Sequence, residues 1–184
     1  MIDVIRGSED KPVVSERLVD YFKEKKDING SLYLGYPIIG TIEGTVNIDA
    51  MLVSEEYGII AFDLIESRDF EDRIDFHDDV INNLTAKLLQ YRKLRERRNL
   101  MVNINMITFA PMWDSKECQF ELAINESQID KYLKDFEWSH SEYYEKLLEA
   151  IQAVTTIKAT PKRTKVEKDN SRGAKLKKLE NSIA

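Results

Sequence analysis

Three carboxylates stand where chemistry is a better explanation than solvation. Asp49 lies inside the apolar stretch VNIDAMLV, Asp63 inside IIAFDLI, and Glu16 in the first helix-forming run. An aspartate in the middle of a strand of that composition is partly buried, and a buried carboxylate is costly unless paired, protonated or bound to a metal. Hard cations such as Mg²⁺ or Mn²⁺ are held by one or two carboxylates, with water and phosphate oxygens completing the shell. There they activate water and offset the charge of phosphodiester attack. Weak Mg²⁺ or Mn²⁺ binding at Asp49 and Asp63 is the chemical expectation. The structural alternative is that each carboxylate bonds neighbouring backbone or pairs with an arginine. The P-loop, the dinucleotide G-x-G-x-x-G, the G-x-S-x-G elbow and H-E-x-x-H are absent, so the common phosphate, hydrolase and zincin signatures do not apply. Cys118 is the single cysteine and the histidines are His77 and His140, which leaves no intrachain disulfide and no usual zinc spacing. Cys118 reads as a small strand residue.

The elements that must position these groups are legible from periodicity. Leu18, Val19 and Phe22 recur at helical spacing behind Ser15, a good N-cap, with Val14 and Val19 placed as a hydrophobic staple. They predict a first helix over residues 16–26. After Asn29-Gly30, a stretch rich in Ile, Val, Tyr and Thr predicts two short strands, the second over residues 45–53. The turn SEEYG and the run GIIAFDLI then predict a hairpin closing on a buried strand at residues 58–65. Eight carboxylates in the seventeen residues 63–79, offset only by Arg68 and Arg73, read as a solvated loop. From Phe76 to Arg98 the apolar positions Val80, Ile81, Leu84, Leu88, Tyr91 and Leu94 keep a three-four spacing, which predicts one long amphipathic helix. Its second half carries Lys87, Arg92, Lys93, Arg95, Arg97 and Arg98. Strands over 100–109 and 118–124 follow, then a helix from Asn125 and another from the capping box Ser139-x-x-Glu142. That order implies an α/β fold, one mixed central sheet flanked by helices.

Length and charge bound the rest. The chain has 184 residues, 42% of them hydrophobic, enough for one domain with a real core and a tail. Residues 158–184 hold nine Lys/Arg against three carboxylates, a net of +6, so the remainder carries −12 within the whole-chain −6. The division is an α/β domain at 1–157 and a basic, disordered tail at 158–184, too poor in apolar residues to repay its ordering entropy. No run of about 18 apolar residues and no charged-then-apolar leader is present, which predicts no membrane partner and a cytoplasmic location. Trp113, Trp138, Tyr143 and Tyr144 read as core packing more readily than as a stacking platform.

The stretch GTVNIDAMLVSEEYGIIAFDLIES resembles the core of the PD-(D/E)XK nuclease superfamily, most closely its NERD-like branch, over about residues 15–110. The resemblance implies a restriction-endonuclease-like fold and metal-dependent DNA cleavage. Asp49 would match the first acidic position, Asp63 the acidic residue of (D/E)-x-K, and Glu16 the helix carboxylate. Ile65 stands where the lysine should be. That lysine orients the attacking water and offsets charge on the phosphate, and isoleucine does neither. Either a cation has migrated from the following helix, with Lys87 or Lys93 as candidates, or cleavage has been given up. Gln90-Tyr91 loosely matches the Gln and Tyr of related nucleases, at a different spacing.

At the other end, SRGAKLKKLENSIA is similar to the segment preceding the first motor motif of bacterial superfamily 1 helicases of the UvrD/Rep type. It implies an N-terminal accessory domain whose partner is a helicase motor in the same longer chain. Two functions are then in play. One is DNA binding or processing, with Asp49 and Asp63 for a metal and Arg92, Lys93, Arg95, Arg97 and Arg98 for phosphates. The other is a non-catalytic protein-interaction or scaffolding domain, favoured by the acidic body because nonspecific DNA affinity depends on basic contacts.

Overall fold

Residues 2–6 are too short and polar to announce a strand, yet they form β1 (Ile2–Arg6), the edge of the main sheet. The computed structural model describes residues 1–7, 10–35, 38–41, 44–68, 71–113 and 118–154, so the tail expected at 158–184 lies outside the described residues. The chain continues through α1 (Pro12–Lys23) into β2 (Gly30–Leu34), which runs parallel to β1. A separate two-stranded ribbon, β3 (Ile38–Thr41) with β4 (Gly44–Asn47), precedes the hairpin of β5 (Ala50–Ser54) and β6 (Gly58–Leu64). Next come α2 (Ile74–Leu88), a 3₁₀ turn (Arg92–Leu94) and a small hairpin of β7 (Arg95–Glu96) and β8 (Asn99–Leu100). The chain then forms β9 (Ile104–Phe109), β10 (Leu122–Ala123), α3 (Glu126–Asp135) and α4 (Tyr144–Val154).

The result is a mixed six-stranded sheet in the order β1-β2-β5-β6-β9-β10 with helices on both faces. The β5–β6 hairpin is central, as expected, and antiparallel, while β9 joins β6 in parallel across the α2 crossover. Both hairpin strands are buried along their whole length, which is why they read as continuous apolar runs rather than alternating ones. On one face Leu52, Ile60, Phe62 and Phe109 pack with Leu18 and Phe22 of α1 and Ile129 of α3. On the other, Met51, Ile59, Ala61 and Met106 pack with Val80 and Leu84 of α2 and Leu147 and Ile151 of α4.

Several boundaries differ from expectation for identifiable reasons. α1 starts at Pro12, whose fixed φ suits the first helical position, so Ser15 is a buried residue of the first turn and not the N-cap. Its free amide at Val14 is capped from afar, donating to Glu66 Oε2 at 3.0 Å. The strand expected at 45–53 is interrupted, and Asp49 sits in the bend between β4 and β5. α2 stops at Leu88 rather than Arg98. The strand expected at 118–124 contracts to Leu122–Ala123, leaving Cys118 exposed and outside it. Asn125 does cap α3, its side chain accepting from Gln128 N at 3.1 Å. The Ser139-x-x-Glu142 box leads into a 3₁₀ turn (Ser141–Tyr143), and α4 begins only at Tyr144.

Gly58 makes the central hairpin possible. It has φ +72°, and a Cβ there would lie 2.7 Å from the Asn103 carbonyl oxygen. That same carbonyl accepts from Ile59 N at 2.9 Å, tying β6 to β9 where the strands begin to pair.

Candidate functional site

Asp63 is 1% exposed and belongs to the β6 face that carries Ile59 and Ala61 towards α2. Arg73, immediately before α2, clasps it in bidentate fashion: Nε donates to Oδ2 at 2.8 Å and Nη2 to Oδ1 at 3.0 Å. Thr108 Oγ1, from β9, donates to Oδ2 at 2.9 Å. A fork-to-fork arginine pair is the strongest way to neutralise a buried carboxylate without a metal. The Arg73 guanidinium is itself stacked over the Phe76 ring at 4.3 Å. Its side chain remains 29% exposed, so the arginine reaches in from the edge while the carboxylate is enclosed.

The chain of polar groups continues to His77, one turn into α2. His77 Nε2 lies 2.7 Å from Thr108 Oγ1. Because the Thr108 hydroxyl hydrogen goes to Asp63, Nε2 must donate, which sets the tautomer and leaves Nδ1 as the lone-pair nitrogen. That atom is buried without a hydrogen-bond partner, 3.7 Å from Glu121 Oε1. Burial holds the His77 pKa below its ordinary value, against the pull of Asp63 and Glu121 in the other direction. Hydroxyl, imidazole and carboxylate thus stand in a row, yet Thr108 is fully buried and already commits its proton to Asp63. All three side chains are closed off from solvent.

Asp49 is engaged elsewhere. Its Oδ2 accepts from Lys11 Nζ, just before α1, at 2.9 Å and from the Leu64 backbone amide at 2.9 Å. It therefore closes the end of the β5–β6 ladder and pairs with a lysine on the α1 side. Asp49 thus bonds backbone and a lysine, and Asp63 an arginine and a threonine. Glu16 pairs with Arg6, whose hydrogen bond holds its carboxyl below the usual range, and it takes part in neither group. Ile65 is buried, and its amide donates to Phe109 O at 3.0 Å. Among the described residues no three His, Cys, Asp or Glu side chains come together in a way that could hold a metal ion. The donor set around Asp63 does not fit a divalent cation as it stands, since Arg73 occupies both oxygens.

The migrated-cation candidates lie far from this point. Fourteen residues of rise separate Lys87 from Arg73, about 21 Å along α2, and Lys93 is in the 3₁₀ turn beyond the helix. Gln90 and Tyr91 fall after the helix end, where their amides close the last turns onto Lys87 and Leu88. Arg92, Lys93, Arg95, Arg97 and Arg98 are not a helix face but the 3₁₀ turn and the β7–β8 hairpin. Trp138 is buried with its indole donating to Met101 O at 2.9 Å, and Tyr143 and Tyr144 pack against the same core. The groups that pattern reading missed are Arg73, His77, Thr108 and Lys11. Arg73 was masked by the acidic run around it, and the other three have no distinctive spacing.

The fold and site define a three-layer α/β protein with a carboxylate–arginine centre near the C-terminal end of a central strand of a mixed sheet. Comparison with family models, with curated proteins and with solved structures returns no match. Among the described residues no helix is long and apolar enough to cross a membrane.

Proposed function

We propose that this chain is an accessory domain of a DNA helicase, built on a restriction-endonuclease-like core that has given up cleavage and acts through contact. The observation that carries the loss of cleavage is the bidentate Arg73–Asp63 pair completed by Thr108. A catalytic divalent cation needs carboxylate oxygens free to bridge metal and phosphate, and here it would have to displace an arginine from a nearly inaccessible aspartate. Binding of Mg²⁺ or Mn²⁺ is accordingly weak. The layout supports the nuclease-like core: a helix, then an antiparallel central hairpin with Asp49 in the bend ahead of it and Asp63 in its second strand, then a crossover helix and a parallel strand. The helicase context rests on the likeness of SRGAKLKKLENSIA to the segment ahead of a motor motif, and a Walker A loop encoded downstream of Ala184 would test it.

The non-catalytic protein-interaction reading shares the absence of cleavage and is favoured by one further observation, the −12 charge outside residues 158–184. The deciding experiment incubates the full chain with linear single- and double-stranded DNA and Mn²⁺, beside Asp63→Ala and Ile65→Lys, with calorimetry of Mn²⁺ alone. Slow or undetectable cleavage in all three, with weak metal binding, is expected, because a lysine at 65 still leaves Asp63 clasped by Arg73. Robust cleavage by the unmodified chain that disappears in Asp63→Ala overturns the proposal. Lys11, whose ammonium already touches Asp49, would then be the next lysine to replace.

A further inference from the structure

The β7–β8 hairpin is unlike the rest of the surface. Residues 92–98 carry Arg92, Lys93, Arg95, Arg97 and Arg98 against Glu96, a net of +4 in seven residues of a chain that totals −6. Three arginines elsewhere are neutralised by carboxylates: Arg6 by Glu16, Arg17 by Glu126 and Arg73 by Asp63. None of the five hairpin cations has an ion pair among the described residues, and four of them are exposed. Their contacts with one another are internal: Arg95 Nη1 donates to Arg97 O at 3.3 Å and the Arg95 amide to Arg92 O, bracing the turn.

The backbone adds an independent sign. Glu96 pairs with Asn99, so Arg97 and Arg98 form a two-residue loop, and Arg97 has φ +62°, the one non-glycine at positive φ among the described residues. Such loops favour glycine or asparagine at that place, and a long side chain there is held under strain. The strain is tolerated on a rigid mount. Leu94 and Val102, at the two feet of the hairpin, are buried in the α2/α4 core. Met101 N donates to Leu94 O at 2.8 Å, and Trp138 donates to Met101 O. A braced, strained, unpaired cluster of cations is preorganised to meet anions without first breaking internal bonds.

We infer that the hairpin tip is the phosphate contact of this domain, gripping the sugar–phosphate backbone of a nucleic acid through Arg97 and Arg98 with Arg92 and Lys93 beside them. It deepens the DNA-contact side of the proposed function and rests on it. A phosphodiester backbone fits because closely spaced guanidinium groups match successive phosphates bidentately, and because the acidic body restricts contact to this projection. With about four phosphates engaged, the hairpin contributes about −3 to −4 to the slope of log affinity against log salt on duplex DNA.

The test is fluorescence anisotropy of the full chain with a labelled random-sequence duplex across a NaCl series. It compares the unmodified protein with R97Q/R98Q and with K131Q/K134Q, two exposed lysines of α3 that change net charge equally. R97Q/R98Q should weaken binding about fivefold or more and flatten the slope by about 2, whereas K131Q/K134Q should change neither. R97G/R98S, which relaxes the turn, guards against misfolding and should behave as R97Q/R98Q does. Equal weakening by the α3 pair, or none by either hairpin variant, overturns the hairpin assignment alone. No binding by the unmodified chain at low salt overturns it together with the DNA side of the proposed function. Displacement of the duplex by polyglutamate at equal charge concentration assigns the hairpin to an acidic protein and also overturns it.

Discussion

Removing either member of the Arg73–Asp63 pair should destabilise the protein, but unequally, and the inequality follows from where each side chain lies. Asp63 is 1% exposed and Arg73 is 29% exposed. In Arg73→Ala the carboxylate stays enclosed between α2 and β9 with only the Thr108 hydroxyl as donor, an uncompensated buried charge that costs about 3–5 kcal/mol. In Asp63→Ala the arginine can swing into water, still resting on Phe76, and what is left behind is the buried Thr108 hydroxyl, at about 1–3 kcal/mol. The difference of about 2 kcal/mol is well resolved by urea denaturation of the full chain followed by circular dichroism. At about 2–4 °C per kcal/mol for a domain of this size, Arg73→Ala should lower Tm by about 6–20 °C. The double variant should be more stable than Arg73→Ala alone, because it removes the stranded charge. Equal losses, or a double variant that simply adds the two, would refute the claim that Asp63 is a structural carboxylate neutralised by Arg73.

Three further outcomes are expected. Gly58→Ala places a methyl group 2.7 Å from a backbone oxygen at φ +72°, and it should cost about 2 kcal/mol or more, read as a shift in urea midpoint at unchanged slope. His77 has a pKa lowered by burial, so the unfolded chain takes up its proton at a higher pH than the folded one. Its contribution is complete above the unfolded value near 6.5 and is lost as pH falls below that value towards the folded pKa, at up to about 1.4 kcal/mol per pH unit; His77→Gln, which can still donate to Thr108, should flatten that dependence. Arg97→Gly relieves a positive φ at the hairpin tip and should leave stability unchanged or raise it by up to about 1 kcal/mol, measured by differential scanning calorimetry.

The sequence by itself determined the frame of this protein. Apolar runs such as GIIAFDLI and the spacing of Val80, Leu84 and Leu88 are local consequences of burial on two faces or on one, so the central hairpin and its crossover helix were legible without coordinates. The oddity of Asp49 and Asp63 was legible for the same reason, since a charge in an apolar run must be compensated. What compensates it was not. Lys11 lies 38 residues from Asp49, and Thr108 lies 45 from Asp63, and chain proximity carries no information about such partners. The end of α2 was hidden too, because Tyr91 and Leu94 continue the helical spacing while in fact Leu94 is buried beside Val102 as the foot of a hairpin. Periodicity reports that a side chain is buried, and only the tertiary structure decides which neighbour buries it. That difference turned a basic helix face into a braced hairpin and set an arginine against Asp63.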